Sequence, residues 1–423
     1  MVYYIYMYKR FLVEKLKLAL EDTPVVFLNG ARQAGKSTLV KHLQNEEGPE
    51  VLYFTFDDLP TLDNAKSDPI AFLNRSAKRI IIDEVQRAPE LFLPIKAEID
   101  RQRTPGRFIL TGSADIFLLP KIADSLAGRI EILTLHPLSL GELSGIQETF
   151  IEDLFSHHSN KLLASKTPQN STNTTHKKQI IEHIVKGGFP PVQSRESAER
   201  RGSWFNSYVM TIIERDIREL ANIEGLTRMP NLLKLLAART ATLLNMDEIG
   251  RSLQIPASTL KRYFTLLLTF FLVHTLPAWS NNRGKRLIKS PKIHLSDTGV
   301  LCNLLGISAE GLLLDPKTLG NILETFVLNE LIKMSAWNSP NVSFYHYRTV
   351  ANKEVDIVLE SNDGRIVGIE VKATETPTSD DFKGLRDLKE TAGDKFVCGV
   401  VLHLGKHKMP FGEDLYALPV FGE

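Results

Sequence analysis

Cysteine is almost absent from this chain, which has only Cys302 and Cys398 among its 423 residues. Two isolated cysteines provide neither a disulfide framework nor the ligand cluster of a zinc site. The N-terminus also lacks the basic region, apolar stretch and small-residue cleavage site of a secretory signal. We therefore expect a protein of a reducing compartment, the cytoplasm.

Long apolar segments and an excess of charge of one sign are missing as well. The longest apolar run, near Leu266–Leu276, is too short to span a membrane, so we expect no membrane association. Lysine and arginine together number 51 against 50 aspartates and glutamates, which gives a net charge of +1. Overall charge is therefore uninformative about nucleic-acid binding, and only local clusters of basic residues can indicate it.

A glycine-rich loop follows the short apolar stretch Val25–Leu28 and precedes a helical pattern. This order of strand, loop and helix is the context of a phosphate-binding loop, whose main-chain N–H groups wrap phosphates at a helix N-terminus. We expect Lys36 to reach the β- and γ-phosphates of ATP and the Ser37 hydroxyl to bind Mg²⁺. The predicted nucleotide-binding residues are Gly30, Ala31, Arg32, Gln33, Ala34, Gly35, Lys36, Ser37, Thr38 and Ser113.

Two carboxylates follow a second buried-strand pattern, Arg79–Ile82. Such a strand delivers both acids to the carboxyl edge of a parallel sheet. We expect Asp83 to hold the magnesium ion and Glu84 to orient the attacking water, and the second acid favours hydrolysis over binding alone. In the next strand pattern, which ends ILTGS, Ser113 or Thr111 either senses the γ-phosphate or only caps a helix.

The middle of the chain has the pattern of a helix-turn-helix. A capped short helix begins after Asn245, a turn follows at 254–256, and a second helix begins at Ala257. The next two strand patterns are joined by the basic loop 280–286, which predicts a winged helix. Between positions 283 and 292 there are five basic residues and no acid, namely Arg283, Lys285, Arg286, Lys289 and Lys292. This cluster either binds the phosphates of DNA, with Arg283, Lys285 and Arg286 as the contacts, or only packs on another part of the protein.

The segment EVDIVLESNDGRIVGIEVKA, 354–373, predicts a β-hairpin. A two-residue loop would place Asp356 and Glu370 on opposite faces. A three-residue loop ending in Gly364 pairs them directly, and it alone keeps both apolar sets on one face. We therefore predict the three-residue loop. The paired acids either bind a divalent metal or form a solvated surface.

A strong helical pattern, 320–334, carries one acid in the middle of its apolar face. Leu328 and Leu331 lie within about 40° of Glu324 on a helical projection. A buried carboxylate needs a partner or a metal, so Glu324 is a candidate functional residue. Glu330 lies on the polar arc of the same helix, and we expect it to be solvated.

Several motifs occur in a fixed order along the chain: GARQAGKST, IIIDEVQRAP, ILTGS, SLAGRIEIL, HPLSLGEL, KGGFPPV, IERDI, HLSDTG and VDIVL…IEVKA. Together they resemble the prokaryotic AAA-type P-loop ATPases that carry a C-terminal domain of unknown function. The resemblance covers nearly the whole chain and implies an ATPase module with a five-stranded parallel sheet flanked by helices. It also implies that Arg129 supplies a catalytic arginine to the γ-phosphate, either in cis or from a neighbouring subunit of a homo-oligomer.

A helix acid, a strand acid and a following Glu-x-Lys also resemble the restriction-endonuclease-like nucleases. The resemblance implies that Glu324, Asp356 and Glu370 hold Mg²⁺ and that Lys372 positions or activates the water. Three alternatives remain open from the sequence. The protein is an ATP-gated nuclease, an ATPase whose last domain only binds DNA or another partner, or a nucleotide-dependent switch that does not act on nucleic acid.

The predicted fold is α/β with several domains, which a chain of this length allows. We expect a parallel-sheet P-loop ATPase of AAA type over 1–145 and a linker with a helical lid segment over 146–225. A winged-helix domain over 226–300 and a restriction-endonuclease-like α/β domain over 301–423 complete the prediction. Residues 156–179, rich in Ser, Thr, Asn and His, predict a flexible segment.

Overall fold

The computed structural model describes residues 8–115, 126, 128–156, 173–218, 226–286 and 288–420. They form two compact units. The first comprises the described parts of 1–147, 189–191 and 264–272, and the second comprises those of 148–188, 192–263 and 273–423. Most of the segment predicted to be flexible lies outside the described residues. The predicted domain boundaries stay predictions.

The first unit is built on a five-stranded parallel sheet with the strand order β2-β3-β4-β1-β5. The three central strands are buried along their whole length because their β-branched and aromatic side chains face covering layers on both sides. The strands are β1 (Val25–Asn29), β2 (Val51–Thr55), β3 (Arg79–Asp83), β4 (Phe108–Gly112) and β5 (Ile130–Thr134). The predicted parallel five-stranded sheet is therefore confirmed.

Helices alternate with these strands, as parallel pairing requires. The helices that the structure describes in this part of the chain are α1 (Leu12–Asp22), α2 (Lys36–Glu47), α3 (Leu59–Ser67), α4 (Pro69–Leu73), α5 (Phe92–Arg101) and α6 (Leu140–Ser144). Phe56, Phe72 and Phe92 from the connecting segments pack with the strand residues Phe27 and Phe108 in one core cluster. The predicted phosphate loop follows the carboxyl end of β1, and the predicted acid pair lies at the carboxyl end of β3.

Further along the chain come α7 (Phe150–Phe155), α8 (Asn173–Lys186), α9 (Pro190–Gln193) and α10 (Ala198–Thr211), which continues into a π-helical stretch, Ile212–Ile217. The next elements are α11 (Met229–Ala238), β6 (Thr242–Leu243), α12 (Met246–Leu253), α13 (Ala257–Thr269), β7 (Val273–Leu276), α14 (Arg283–Arg286) and β8 (Lys292–Leu295). Strand β8 pairs antiparallel with both β6 and β7. The Asn245 side chain accepts from the N–H of Glu248 and caps α12, as predicted.

The C-terminal part begins with α15 (Thr298–Leu305), α16 (Ala309–Leu314) and the long helix α17 (Pro316–Ser335). A six-stranded mixed sheet follows, in the order β13-β14-β12-β11-β10-β9, with α18 (Lys383–Ala392) before β12. Its strands are β9 (Val342–Arg348), β10 (Glu354–Ser361), β11 (Ile366–Lys372), β12 (Phe396–His403), β13 (Met409–Pro410) and β14 (Leu415–Pro419). Side chains from β9, β10, β12 and α18 share one buried apolar cluster.

The β10–β11 hairpin has the predicted register. Ile357 pairs with Ile369, which places Asp356 opposite Glu370. The Ser361 N–H donates to the Arg365 carbonyl at 3.0 Å and closes a three-residue loop. Gly364 has φ +86°, the left-handed conformation that the third loop position requires. The prediction of a three-residue loop is therefore confirmed.

Candidate functional site

The phosphate loop connects the carboxyl end of β1 to the first turn of α2. Gly30 has φ +140°, and a Cβ on it would lie 2.2 Å from the Leu135 carbonyl oxygen, so only glycine fits there. The Lys36 ammonium donates to the carbonyl oxygens of Gly30 at 2.8 Å and of Ala31 at 3.0 Å. The Lys36 side chain thus lies inside the loop that is expected to bind phosphate.

Lys36 has no carboxylate among its hydrogen-bond acceptors in the described structure, although it is 4% exposed. Burial lowers the pKa of its ammonium, and the charges of Glu84 and Asp83 only partly oppose this shift. An anion placed in the loop would oppose the shift, because it would stabilise the buried charge. The loop is therefore electrostatically suited to the phosphates of a nucleotide.

The acid pair lies at the end of β3, as predicted. Asp83 is buried and accepts from the Tyr53 hydroxyl at 2.7 Å and from the Thr111 hydroxyl. Burial, together with the hydroxyl bond to Asp83, raises the pKa of Tyr53, with burial as the larger cause. Thr111 and Tyr53 therefore fix the orientation of the carboxylate that is expected to hold magnesium.

Glu84 has a left-handed backbone, with φ 60° and ψ 45°, which is costly for a residue other than glycine. Its N–H donates to the Thr111 hydroxyl at 3.2 Å, and its carboxylate accepts from the Ser113 hydroxyl at 3.0 Å and from the Gln86 amide. Gln86 also donates to Ser113 at 3.1 Å. Ser113, one of the two residues considered as γ-phosphate sensors, thus contacts the proposed water-orienting acid directly.

An arginine upstream of the sheet supports the phosphate loop. Arg10 donates from Nη1 to the Ala34 carbonyl at 2.7 Å, from Nη2 to the His136 carbonyl at 2.6 Å and from Nε to Glu142 at 2.9 Å. Glu142 is buried and forms a capping box with Ser139 at the start of α6. Sequence reasoning missed both roles, although HPLSLGEL, which contains Glu142, was among the motifs that it singled out.

Arg129 lies at the amino-terminal end of the parallel strands, and the phosphate loop lies at their carboxyl end. It precedes Ile130, which pairs with Val25 at the beginning of β1, whereas the loop follows Asn29 at its end. The length of β1 places the two ends of the strands, and so Arg129 and the phosphate loop, about 16 Å apart. Arg129 instead forms an ion pair with Asp100 at 2.5 Å. The structure therefore does not bring Arg129 to the loop in cis, and its action in trans stays a prediction.

In the second unit, the structure brings the predicted C-terminal acids together around a lysine. The Lys292 ammonium lies 2.8 Å from Glu324, 2.8 Å from Glu354 and 3.1 Å from Asp356. Glu370 pairs with Lys372 at 2.7 Å and accepts from the Asp356 N–H at 3.4 Å. These four acids and two lysines are called the acid cluster below. Sequence reasoning assigned Lys292 to the basic wing, and only the fold reveals its position.

Burial and mutual repulsion shape the charges of the acid cluster. Burial, with the nearby Asp356 carboxylate, raises the pKa of Glu324 well above its ordinary value and that of Glu370 to about 8. Burial would also raise the pKa of Asp356, but Lys292 and the Val371 N–H hold it below its ordinary value. Although burial opposes a charge on Lys292, its three carboxylate partners raise the pKa of the ammonium well above 10.5.

The predicted magnesium site of the C-terminal domain does not fit these residues as arranged. Within the residues that the structure describes, there is no group of three or more histidine, cysteine or acidic side chains placed to hold a metal ion. The position that a metal would take between Glu324 and Asp356 holds the Lys292 ammonium. Glu324, Asp356 and Glu370 therefore converge as predicted, but around a cation supplied by the chain.

Glu330, on the same helix as Glu324, was expected to be solvated, and this was wrong. It is 1% exposed and pairs with Lys333 at 2.6 Å. Helix α17 is covered over most of its circumference, so its polar arc is buried as well. A single amphipathic projection could not reveal this second covering layer.

The basic segment between β7 and β8 is only partly available to a ligand. Arg286 pairs with Glu360, donates to the Ser280 carbonyl at 2.6 Å and stacks over Tyr345, with 4.9 Å to the ring centre. Lys289 donates to the Arg348 carbonyl at 3.2 Å. The side chains of Arg283 and Lys285 lie outside the described part of the structure. Arg286, predicted to contact DNA, is thus engaged within the second unit.

Three segments of the chain match models of known protein families. Residues 22–144 match the model of a family described as "AAA domain". Residues 177–311 and 319–421 match two models described as domains of unknown function, DUF8612 and DUF4143. Among the helices in the described ranges, none is long and apolar enough to cross a membrane.

Two solved structures illustrate the structural likenesses. The Walker-type ATPase PabY2304 of Pyrococcus abyssi is 15% identical, with a TM-score of 0.43 over 70% of this chain and 94% of its own. A RuvB protein from Thermotoga maritima is 20% identical, with a TM-score of 0.29 over 65% of this chain and 93% of its own. Neither likeness is close enough to support an argument about this chain.

Two curated relatives match almost the whole chain. They are the uncharacterized protein Rv2008c of Mycobacterium tuberculosis and the uncharacterized protein Mb2031c of Mycobacterium bovis. Each is 32% identical over 407 residues, which is 96% of this chain and 82% of the relative. This chain therefore belongs to the family of these two mycobacterial proteins, and its first domain is an AAA-type P-loop ATPase domain.

Proposed function

We propose that this protein binds ATP with Mg²⁺, hydrolyses it in the first unit and acts on DNA through the second. The observation that carries the ATPase proposal is the combination of Lys36, whose hydrogen bonds go to loop carbonyl oxygens, with the acids Asp83 and Glu84 at the carboxyl end of β3. A buried cation without a bonded anion is suited to phosphate, and two neighbouring acids are suited to hydrolysis. Neither acid would be needed for simple phosphate binding.

Each residue has a distinct role in the proposed reaction. Ser37 and Asp83 would hold the magnesium ion, which neutralises phosphate charge when it is bound. Glu84 orients a water molecule and accepts its proton as the water oxygen bonds to the γ-phosphorus and the bond to the β-phosphate oxygen breaks. Ser113 and Gln86 hold the Glu84 carboxylate for this task.

The test compares two variants of the full chain. Lys36→Ala should lose nucleotide binding, whereas Glu84→Gln should keep binding and lose at least about 100-fold in kcat, because a positioned base contributes at least that much. Glu90→Gln serves as the control, since Glu90 is an exposed acid further along the same segment. Phosphate release and binding of a fluorescent ATP analogue are measured for all three. Parental turnover by Glu84→Gln would disprove the assigned base.

DNA is the proposed partner of the second unit. The order α11, β6, α12, α13, β7, β8 supports the proposal of a winged helix, and Lys261 and Arg262 lie exposed near the start of α13. In such folds the second helix of the helix-turn-helix enters the major groove with its N-terminal part. The convergence of Glu324, Asp356 and Glu370 supports a restriction-endonuclease-like core for the C-terminal domain.

A second candidate function is favoured by the position of Lys292. In that candidate, the protein is a nucleotide-dependent switch whose C-terminal domain does not cleave nucleic acid and only binds a partner. Incubation of the full chain with ATP, Mg²⁺ or Mn²⁺ and several forms of DNA distinguishes the two. DNA cleavage and DNA binding are both recorded beside phosphate release. Cleavage supports a nuclease, binding without cleavage supports an ATPase that only binds DNA, and phosphate release with neither supports the switch.

A further inference from the structure

We propose that Lys292 is a resident cation that takes the place of a divalent metal in the acid cluster. With Lys292 present, the C-terminal domain binds no divalent ion there, and removal of its charge creates a divalent site. This inference rests on the proposed nuclease-like core only for its biological meaning. The binding that it predicts follows from the contacts of the cluster.

Three carboxylates surround the Lys292 ammonium. It donates hydrogen bonds to Glu324 at 2.8 Å and to Asp356 at 3.1 Å, and it forms a further ion pair with Glu354 at 2.8 Å. The lysine is 3% exposed, so water is not its main partner. An added ion would have to compete with all three ion pairs at once.

The strands hold Lys292 in this position. Lys292 lies in β8, where it pairs with Leu243 of β6 on one side and with Leu276 of β7 on the other. Its backbone is therefore fixed between two strands, and the ammonium is held among the acids by its ion pairs. The three acids come from elements with separate supports, Glu324 from α17 and the other two from β10.

The charges and distances explain why a metal and Lys292 exclude each other. The acid cluster has four carboxylates and two lysines, a formal charge of minus two that becomes minus three without Lys292. Magnesium needs oxygen ligands at about 2.0–2.1 Å, closer than the ammonium contacts. The acids would have to contract around a metal, and the lysine leaves no space for this.

Binding of Mn²⁺ to the nucleotide-free full chain tests the proposal. All variants carry Asp83→Asn, so that the phosphate-loop acid does not contribute. Lys292→Met is compared with Lys333→Met, which removes another buried lysine of the second unit from an ion pair with Glu330. Free Mn²⁺ is counted by electron paramagnetic resonance, and melting temperatures are recorded with and without the ion.

Lys292→Met should bind one additional Mn²⁺ at least about tenfold more tightly than the parent or Lys333→Met, and the ion should raise its melting temperature. Adding Asp356→Asn should abolish this binding. Folded Lys292→Met without additional binding would overturn the proposal. If Lys292→Met does not fold, the parent decides, because Mn²⁺ binding by the parent that Asp356→Asn removes would also overturn it. ATP hydrolysis, measured with Asp83 intact, reports separately on the proposed function.

Discussion

The phosphate loop and the acid cluster both contain a buried lysine near acidic side chains, but the pKa of the lysine shifts in opposite directions in the two places. Lys36 donates to main-chain carbonyl oxygens, and burial lowers the pKa of its ammonium. Lys292 donates to carboxylates, and despite burial its pKa is raised well above the ordinary value. The loop thus holds a cation whose compensation is incomplete, whereas the acid cluster compensates its own.

This difference separates a binding site from a structural ion network. A cation that the fold leaves only partly compensated gains from an arriving anion, and this gain contributes to the free energy of phosphate binding. An ion network that is already paired gains little from a ligand and loses much if one member is removed. Motifs of charged residues therefore have to be judged by their partners as well as by their spacing.

The largest expected effect contrasts two matched substitutions. Lys292→Met should lower the free energy of unfolding by about 3–5 kcal/mol, because it leaves buried carboxylates without their cation. Lys36→Met should change it by only about 1 kcal/mol, since it removes a poorly compensated charge and its hydrogen bonds to carbonyls. Urea unfolding followed by tryptophan fluorescence and circular dichroism measures both. Trp204, Trp279 and Trp337 all lie in the second unit, so fluorescence reports on that unit.

Glu324→Gln provides the control for this contrast. Combined with Lys292→Met, it removes one of the charges left unpaired, and it should restore at least half of the lost free energy. A loss below about 1 kcal/mol in Lys292→Met alone would mean that the acid cluster does not depend on its lysine.

A smaller effect is expected from pH, at a histidine of the second unit. His274 stacks on His294, and burial lowers its pKa from 6.5 to about 4. The unfolded chain therefore takes up a proton as the pH falls through 6.5, while the folded chain does not until near pH 4. Stability should consequently fall by about 2 kcal/mol between about pH 7 and pH 5 through this residue.

His274→Phe removes the titration while keeping a planar ring, so its second unit should lose less stability on acidification than the parent. Urea unfolding at both pH values measures the difference. His42→Phe is the control, because His42 is about half exposed. An identical loss in His274→Phe and the parent would show that His274 does not contribute.

The smallest effect concerns the basic segment that supplies Lys292. Replacing Arg283 and Lys285 with alanine should weaken binding to unrelated DNA sequences alike. The slope of log affinity against log salt should become shallower by about 0.9 for each phosphate that the variant no longer neutralises. Arg286→Ala should leave the slope unchanged, because Arg286 pairs with Glu360. Fluorescence anisotropy over a range of salt concentrations measures both. Equal flattening by Arg286→Ala would show that its ion pair opens to admit phosphate.

Local features of the sequence were sufficient for the strand, loop and helix at Lys36, for the acids that end β3 and for the hairpin register. In each case neighbours along the chain set the geometry, through strand alternation and turn length. Lys292 is 32 residues from Glu324 and 64 from Asp356, and the bond from Arg10 to Glu142 spans 132. Such pairs depend on how elements pack, which spacing does not reveal.

Arg129 and Lys292 illustrate the same limit from two directions. The family resemblance implied that Arg129 acts at the nucleotide, in cis or from a neighbouring subunit, but the parallel pairing of β5 with β1 places it at the far end of the strands in its own chain. Lys292 was counted with a basic cluster because its sequence neighbours are basic, whereas its strand directs it to the acids.

The hydrogen bond between Arg10 and Ala34 decides where a functional fragment of this protein can begin. The segment that matches the AAA model starts at residue 22, where α1 ends. A fragment cut at that boundary would keep every residue of the phosphate loop and lose the donor that holds its Ala34 carbonyl. It would also leave Glu142 buried without its arginine. Expression of the ATPase domain alone should therefore start upstream of Arg10.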